Sequence, residues 1–126
     1  MENIKATVND IVTESNTALS VGSGSLKVYA TPAMLALIEK AACEALKGSL
    51  DESETTVGTL LNVKHIAATP IGMTVSATAE LIEREGRKLV FNVTASDECG
   101  VIGEGVHERF IVNSEKFINK TYSKKQ

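Results

Sequence analysis

Residues 31–48, TPAMLALIEKAACEALKG, decide the fold. Thr31 suits an N-cap, Pro32 suits the first helical position and Gly48 suits the stop, so the apolar residues between them read as one helix. At about 100° per residue, Met34, Leu35, Leu37, Ile38, Ala41, Ala42, Ala45 and Leu46 sweep one broad arc, with Lys40, Glu44 and Lys47 grouped opposite it. A helix that is apolar over more than half its girth has to be enclosed by other elements.

The flanking sequence supplies strands for that purpose. Residues 4–12 (IKATVNDIV) read as an opening strand, and 20–26 (SVGSGSL) as a flexible Gly/Ser loop. From Val57 the apolar period becomes two. Thr59, Leu61, Val63 and His65 share one face, then Met73, Val75, Ala77, Ala79 and Leu81, then Leu89, Phe91, Val93 and Ala95, and a last strand runs from Val101 to Val112. Thr69-Pro70-Ile71-Gly72, Glu85-Gly86 and Glu98-Cys99-Gly100 punctuate them as turns. The order β-α-β-β-β-β predicts an α+β fold: a curved antiparallel five-stranded sheet wrapped around one long central helix, its last four strands forming a meander. One helix cannot cover both faces and both edges of such a sheet, so a second copy is expected, as a homodimer or a tetramer built from it.

The chain of 126 residues is read as one domain, 1–126. Its 43% hydrophobic and 23% charged residues, with two Pro and nine Gly, exclude collagen-like and largely disordered classes. Lys and Arg number 13 against 16 Asp and Glu, a net charge of -3, so no basic field favours nucleic acid as a partner. Aromatics are sparse at 4% and Trp is missing, which argues against a stacking platform and for a small or flexible ligand. The longest apolar run, Ala33 to Ile38, is far short of a membrane span, and Met1-Glu2-Asn3 does not open like a signal peptide; the expectation is a cytoplasmic protein without a membrane partner. Cys43 and Cys99 read as reduced thiols. HExxH, CxxC, GxSxG and GKS/GKT motifs are missing and the acids form no cage, so neither a metal nor nucleotide hydrolysis is expected.

A few residues stand out from this background. Glu39 falls at the margin of the helix's apolar arc, about 20° from Leu46 and about 100° from Lys40. It is either a boundary residue whose tip reaches water or a partly desolvated base or nucleophile. His65 stands in an apolar row near a strand end, where it is either structurally satisfied or catalytic. His107, beside Glu108 and Arg109, reads as a surface or cross-strand partner. Thr31 is fully explained as a cap. Gly103 and Gly105 flank Glu104 inside a strand, which marks a bulge or a close backbone approach. Lys120, Lys124 and Lys125 read as a solvated tail.

The stretches ATPAMLALIEKAA (30–42), HIAATPIGMTVSATAEL (65–81), GRKLVFNVTASD (86–97) and IGEGVHERFIV (102–112) resemble the fluoroacetyl-CoA thioesterase-like family of hotdog-fold proteins. In that family a Thr, a Glu eight residues on and a His 34 residues after the Thr form the catalytic set. The resemblance places them on Thr31, Glu39 and His65, with Gly58 and Arg109 as substrate-binding or supporting residues. It implies hydrolysis of an acyl-CoA thioester to free acid and CoA, with coenzyme A as part of the substrate and no cofactor or metal. Eight helical residues rise about 12 Å, so Thr31 and Glu39 meet only if Thr31 lies on non-helical backbone or if the site is shared between subunits. The family's fluoroacetyl-specific enzyme has an aromatic-rich lid before its Thr, whereas this chain has SVGSGSLKVYA (20–30) with Tyr29 alone. That departure favours a short or medium acyl chain over selection for fluorine. The competing functions are a noncatalytic acyl-CoA binding module and a hotdog hydratase or dehydratase.

Overall fold

The computed structural model describes residues 3–125. Its elements are β1 (Lys5–Ile11), α1 (Ala18–Val21), α2 (Thr31–Ala45), β2 (Glu54–His65), β3 (Thr74–Glu85), β4 (Lys88–Asp97), β5 (Gly100–Asn113) and α3 (Ser114–Tyr122). The strands form one antiparallel sheet in the order β1-β3-β4-β5-β2, which curls around α2. Only β3, β4 and β5 make a meander. The expected fourth member, β2, does not pair with β3; it crosses to the far edge and pairs with β5, from Glu54↔Asn113 to His65↔Gly103.

The core forms where the two periods meet. Met34, Leu37, Ile38, Ala41 and Ala42 of α2 are buried against the alternating Val75, Ala77 and Ala79 of β3 and Leu89, Phe91, Val93 and Ala95 of β4. Transfer of Met34, Leu37 and Ile38 out of water alone contributes roughly 5–9 kcal/mol. The small residues matter as much, because Ala41, Ala42, Ala77 and Ala79 let the helix approach the sheet closely. At the other side of the helix, a Cβ on Gly103 would lie 2.7 Å from the Met34 sulfur, and one on Gly105 would run into the Asn62 carbonyl oxygen. These are close approaches of the kind expected for the Gly-Glu-Gly run, and they let β2 fold in tightly against β5.

Three local differences from the expectations have simple causes. The Gly/Ser stretch is not a bare loop: α1 is capped by the Thr17 side chain and ends on Gly22 at φ +86, a left-handed geometry that suits glycine. In β2 the alternation breaks, because Thr59 is an extra residue between the Gly58↔Arg109 and Leu60↔Glu108 pairs. The C-terminal lysines belong partly to α3, which buries no residue although Phe117, Ile118 and Tyr122 share one side of it. Among the described residues no helix is long and apolar enough to cross a membrane.

Gly105→Ala is expected to destabilise the fold by about 2–3 kcal/mol, because the colliding atoms are backbone and β2 must open from β5 to admit a methyl group. Urea denaturation would register this, together with a Tm lowered by roughly 8–15 °C; an unchanged midpoint would contradict the close approach.

Candidate active site

Thr31 is the first helical residue of α2, and the N-cap is Ala30, which makes no side-chain cap. The capping role expected of Thr31 is therefore not used. Its hydroxyl instead lies 2.7 Å from His65 Nδ1 at the far end of β2. Both backbones are pinned. The segment before Thr31 bridges Thr17 to Tyr29 and Val28 to Pro70, and the turn after His65 is held by Ile66 and Ala67 N–H groups donating to the Ile102 carbonyl. Tyr29 is buried and meets the His65 ring edge-on at 6.5 Å. Tyr29 Oη and His65 Nε2 are buried atoms without a hydrogen-bond partner among the described residues. A cleft of about 280 Å³ runs past them, lined by Ser23, Thr31, His65, Ile66 and Ala68.

Glu39 belongs to a second cluster. Its carboxylate lies 3.6 Å from Arg109 Nη1, and a Cβ on Gly58 would come within 2.6 Å of Glu39 Oε2, 3.3 Å of Arg109 Nη1 and 3.4 Å of His107 Cε1. Glycine at 58 thus lets three side chains converge on bare backbone. The Arg109 side chain is almost fully buried, whereas Glu39 keeps 40% of its side-chain surface in solvent. Arg109 donates from Nε to Thr56 Oγ1 at 2.8 Å and from Nη2 to the Thr56 carbonyl at 3.0 Å. A buried guanidinium needs such acceptors, because it cannot shed its proton.

The structure brings Thr31 to His65, and Glu39 to Gly58 and Arg109, but within one chain the two groups stay apart. Thr31 is helical, so about 12 Å of rise separates it from Glu39, and six ladder steps, about 20 Å, separate Gly58 from His65. Of the two arrangements considered for bringing them together, a non-helical Thr31 is ruled out. His107 corrects the surface reading. It has no solvent exposure and stacks on Phe91 at 6.3 Å. The signal was its parity: His107 and Arg109 alternate with Ile111 and face Phe91 and Leu89, whereas Glu104 and Glu108 lie on the other face. Thr56 carried no signal, because its role is to accept from a side chain that only the folded sheet brings near.

Comparison with known proteins follows this geometry. The sequence model of the fluoroacetyl-CoA-specific thioesterases matches residues 12–115. The chain is 44% identical over 98 residues to the fluoroacetyl-CoA thioesterase of Streptantibioticus cattleyicolor, covering 78% of this chain and 70% of that one. The chain belongs to the fluoroacetyl-CoA-specific thioesterase family. Among solved structures, an F36A mutant of the fluoroacetyl-CoA-specific thioesterase in complex with fluoroacetate and CoA superposes with a TM-score of 0.85 at 37% identity, covering 90% of this chain and 95% of that one. A thioesterase superfamily member from Thermus thermophilus superposes with a TM-score of 0.90 at 28% identity, covering 99% and 93%. The hotdog fold that the family resemblance implies is therefore the fold of this thioesterase family member.

Burial sets the protonation of both histidines. It lowers the His65 pKa against a smaller upward pull from the Ala67 backbone. It also lowers that of His107, where the Leu60 carbonyl and Glu39 pull upward and Arg109 pushes further down. The Tyr29 hydroxyl is pushed up to about 12 by burial and by Asp10, so it is a donor at neutral pH. For a histidine with a depressed folded pKa, the unfolded chain binds the proton first on acidification. The stability these two contribute is thus present above the ordinary 6.5 and declines as the pH falls below it. Proton–nitrogen NMR titration should place the His107 midpoint below 6.5; a midpoint at or above that value would overturn the assignment of burial as its leading cause.

Proposed function

We propose that this chain hydrolyses a short or medium acyl-CoA thioester to free acid and CoA, as a cytoplasmic homodimer and without a cofactor. The observation that carries the reading is the Thr31–His65 hydrogen bond, which orients an imidazole whose buried Nε2 is still free beside a cleft. A neutral imidazole there can take a proton from an attacking group or return one to the leaving thiolate. The similarity to a thioesterase seen with fluoroacetate and CoA gives the substrate class. The cleft wall includes Ala18, Val28, Ile66, Ala67 and Ala68 beside Tyr29, which supports an alkyl acyl end over selection for fluorine.

The homodimer completes the site. β2 is an edge strand, pairing among the described residues only with β5, and it exposes Leu60 and Leu61. Two β2 strands paired antiparallel about Asn62 bring Gly58 of one chain opposite the partner's His65. The Thr59 bulge makes this work, because it sets Gly58 and His65 on the same inner face although seven positions, an odd number, separate them. Glu39, held by Arg109, then faces the partner's Thr31 and His65 across the thioester. Either Glu39 activates water to attack the carbonyl carbon, or its carboxylate attacks and water then hydrolyses the acyl–Glu39 anhydride to free acid; in both routes the C–S bond breaks and His65 delivers the proton with which CoA leaves as the thiol.

Free-thiol release from a panel of acyl-CoAs tests the activity. Turnover by the parent that falls about 10²–10⁴-fold in His65→Ala and in Glu39→Ala supports it, and no thiol from any thioester would reject hydrolysis in favour of binding or lyase chemistry. Mixing unfolded Glu39→Ala and His65→Ala chains and refolding them together tests the shared site. Random pairing makes about half the dimers hybrid, each with one intact site, so about a quarter of parental activity should return; no recovery means that each chain works alone.

A further inference from the structure

We propose that His107 is a positioning residue for Glu39, acting as the hydrogen-bond acceptor that fixes the Arg109 guanidinium in place. The inference deepens the proposed hydrolase reading, on which its kinetic arm rests. Its tautomer follows from the partners. The Leu60 carbonyl, 2.8 Å from Nδ1, can only accept, so Nδ1 carries the proton. Arg109 Nη1, 3.2 Å from Nε2, can only donate, so Nε2 offers its lone pair. Stacking on Phe91 fixes the ring plane. The imidazole is thus locked from both sides as a neutral donor to β2 and acceptor from Arg109.

The consequence reaches Glu39 through one nitrogen. Nε and Nη2 of Arg109 are directed to Thr56, and Nη1 has two hydrogens, one aimed at His107 and the other available to the Glu39 carboxylate 3.6 Å away. Without an acceptor at His107 Nε2, Nη1 has an unpaired buried hydrogen and the guanidinium is free to tilt about its Thr56 contacts. Glu39 lies over Gly58, where no side chain limits its movement, so it follows. The role of His107 is therefore one step removed from the substrate.

Two substitutions separate this role from simple packing. In His107→Gln the amide oxygen reaches the Nε2 position and can accept from Arg109; in His107→Asn the amide reaches only the Nδ1 position and keeps the Leu60 contact alone. Expected are kcat within about fivefold of the parent for Gln and a loss of about 10–100-fold for Asn, with KM within about threefold in both. Equal losses in the two variants, or equal retention, would overturn the proposal. Two readouts need no turnover: long-range proton–nitrogen NMR of the parent should show an unprotonated Nε2, and a crystal structure of His107→Asn should show Glu39 displaced from Gly58 while the β2–β5 register persists. A protonated Nε2 in the parent, or an unmoved Glu39 in the variant, overturns the positioning role even in a chain that hydrolyses nothing. An inactive parent with both structural results as expected leaves the positioning standing and rejects only the hydrolase reading.

Discussion

A guanidinium that cannot lose its proton lies almost fully buried on the inner face of the sheet, and much of the site's geometry follows from satisfying it. Unpaired, Arg109 would cost several kcal/mol of desolvation. Its acceptors come from three elements: Thr56 on β2, His107 on β5 and Glu39 on α2. One group therefore ties together the pairing of the edge strand, the sheet interior and the seating of the helix. Gly58 is part of the same constraint, because any side chain there would occupy the space where the three meet.

The bulge at Thr59 is the second constraint, and it is coupled to the first. Leu60, the residue after it, presents its carbonyl to His107, and the Thr59 hydroxyl donates to the Glu108 carbonyl across the strand pair. The irregularity is thus hydrogen-bonded through both residues and is not a slack point in the ladder. It changes the parity of β2, and with it which residues share the inner face.

The elements legible in the sequence are those with one wet side and one dry side. The α2 arc and the rows of β3 and β4 are buried on one face only, so their periods of 3.6 and 2 survive in the residue pattern. The place of β2 was not legible, since turn signals mark where strands end and not which edge they join. Its bulge was missed because one extra residue looks like continued alternation. For the site, periodicity left Glu39 and His65 ambiguous and explained Thr31 as a cap; the family resemblance singled them out. The burial of His107 and Arg109 was not read from the pattern for a physical reason, although the resemblance had placed Arg109 near the site. A pair of buried polar groups is sensible only when their partners are known, and Thr56, Leu60 and Glu39 lie 47 or more positions away from at least one of them.

The two clusters differ in electrical character, and that difference bears on why a site divided between chains suits thioester cleavage. In the isolated chain His65 has Thr31 as a neutral partner, and burial holds it in the neutral form that can accept a proton. The anionic group, Glu39, is kept apart beside the cation Arg109. In the proposed pairing the carboxylate would reach the imidazole only across the interface, where its negative charge would favour the imidazolium formed as the proton is taken up. On that proposal the carbonyl would lie between a group that gains positive charge and one already negative, each held by its hydrogen-bond or ion-pair partner before the substrate arrives.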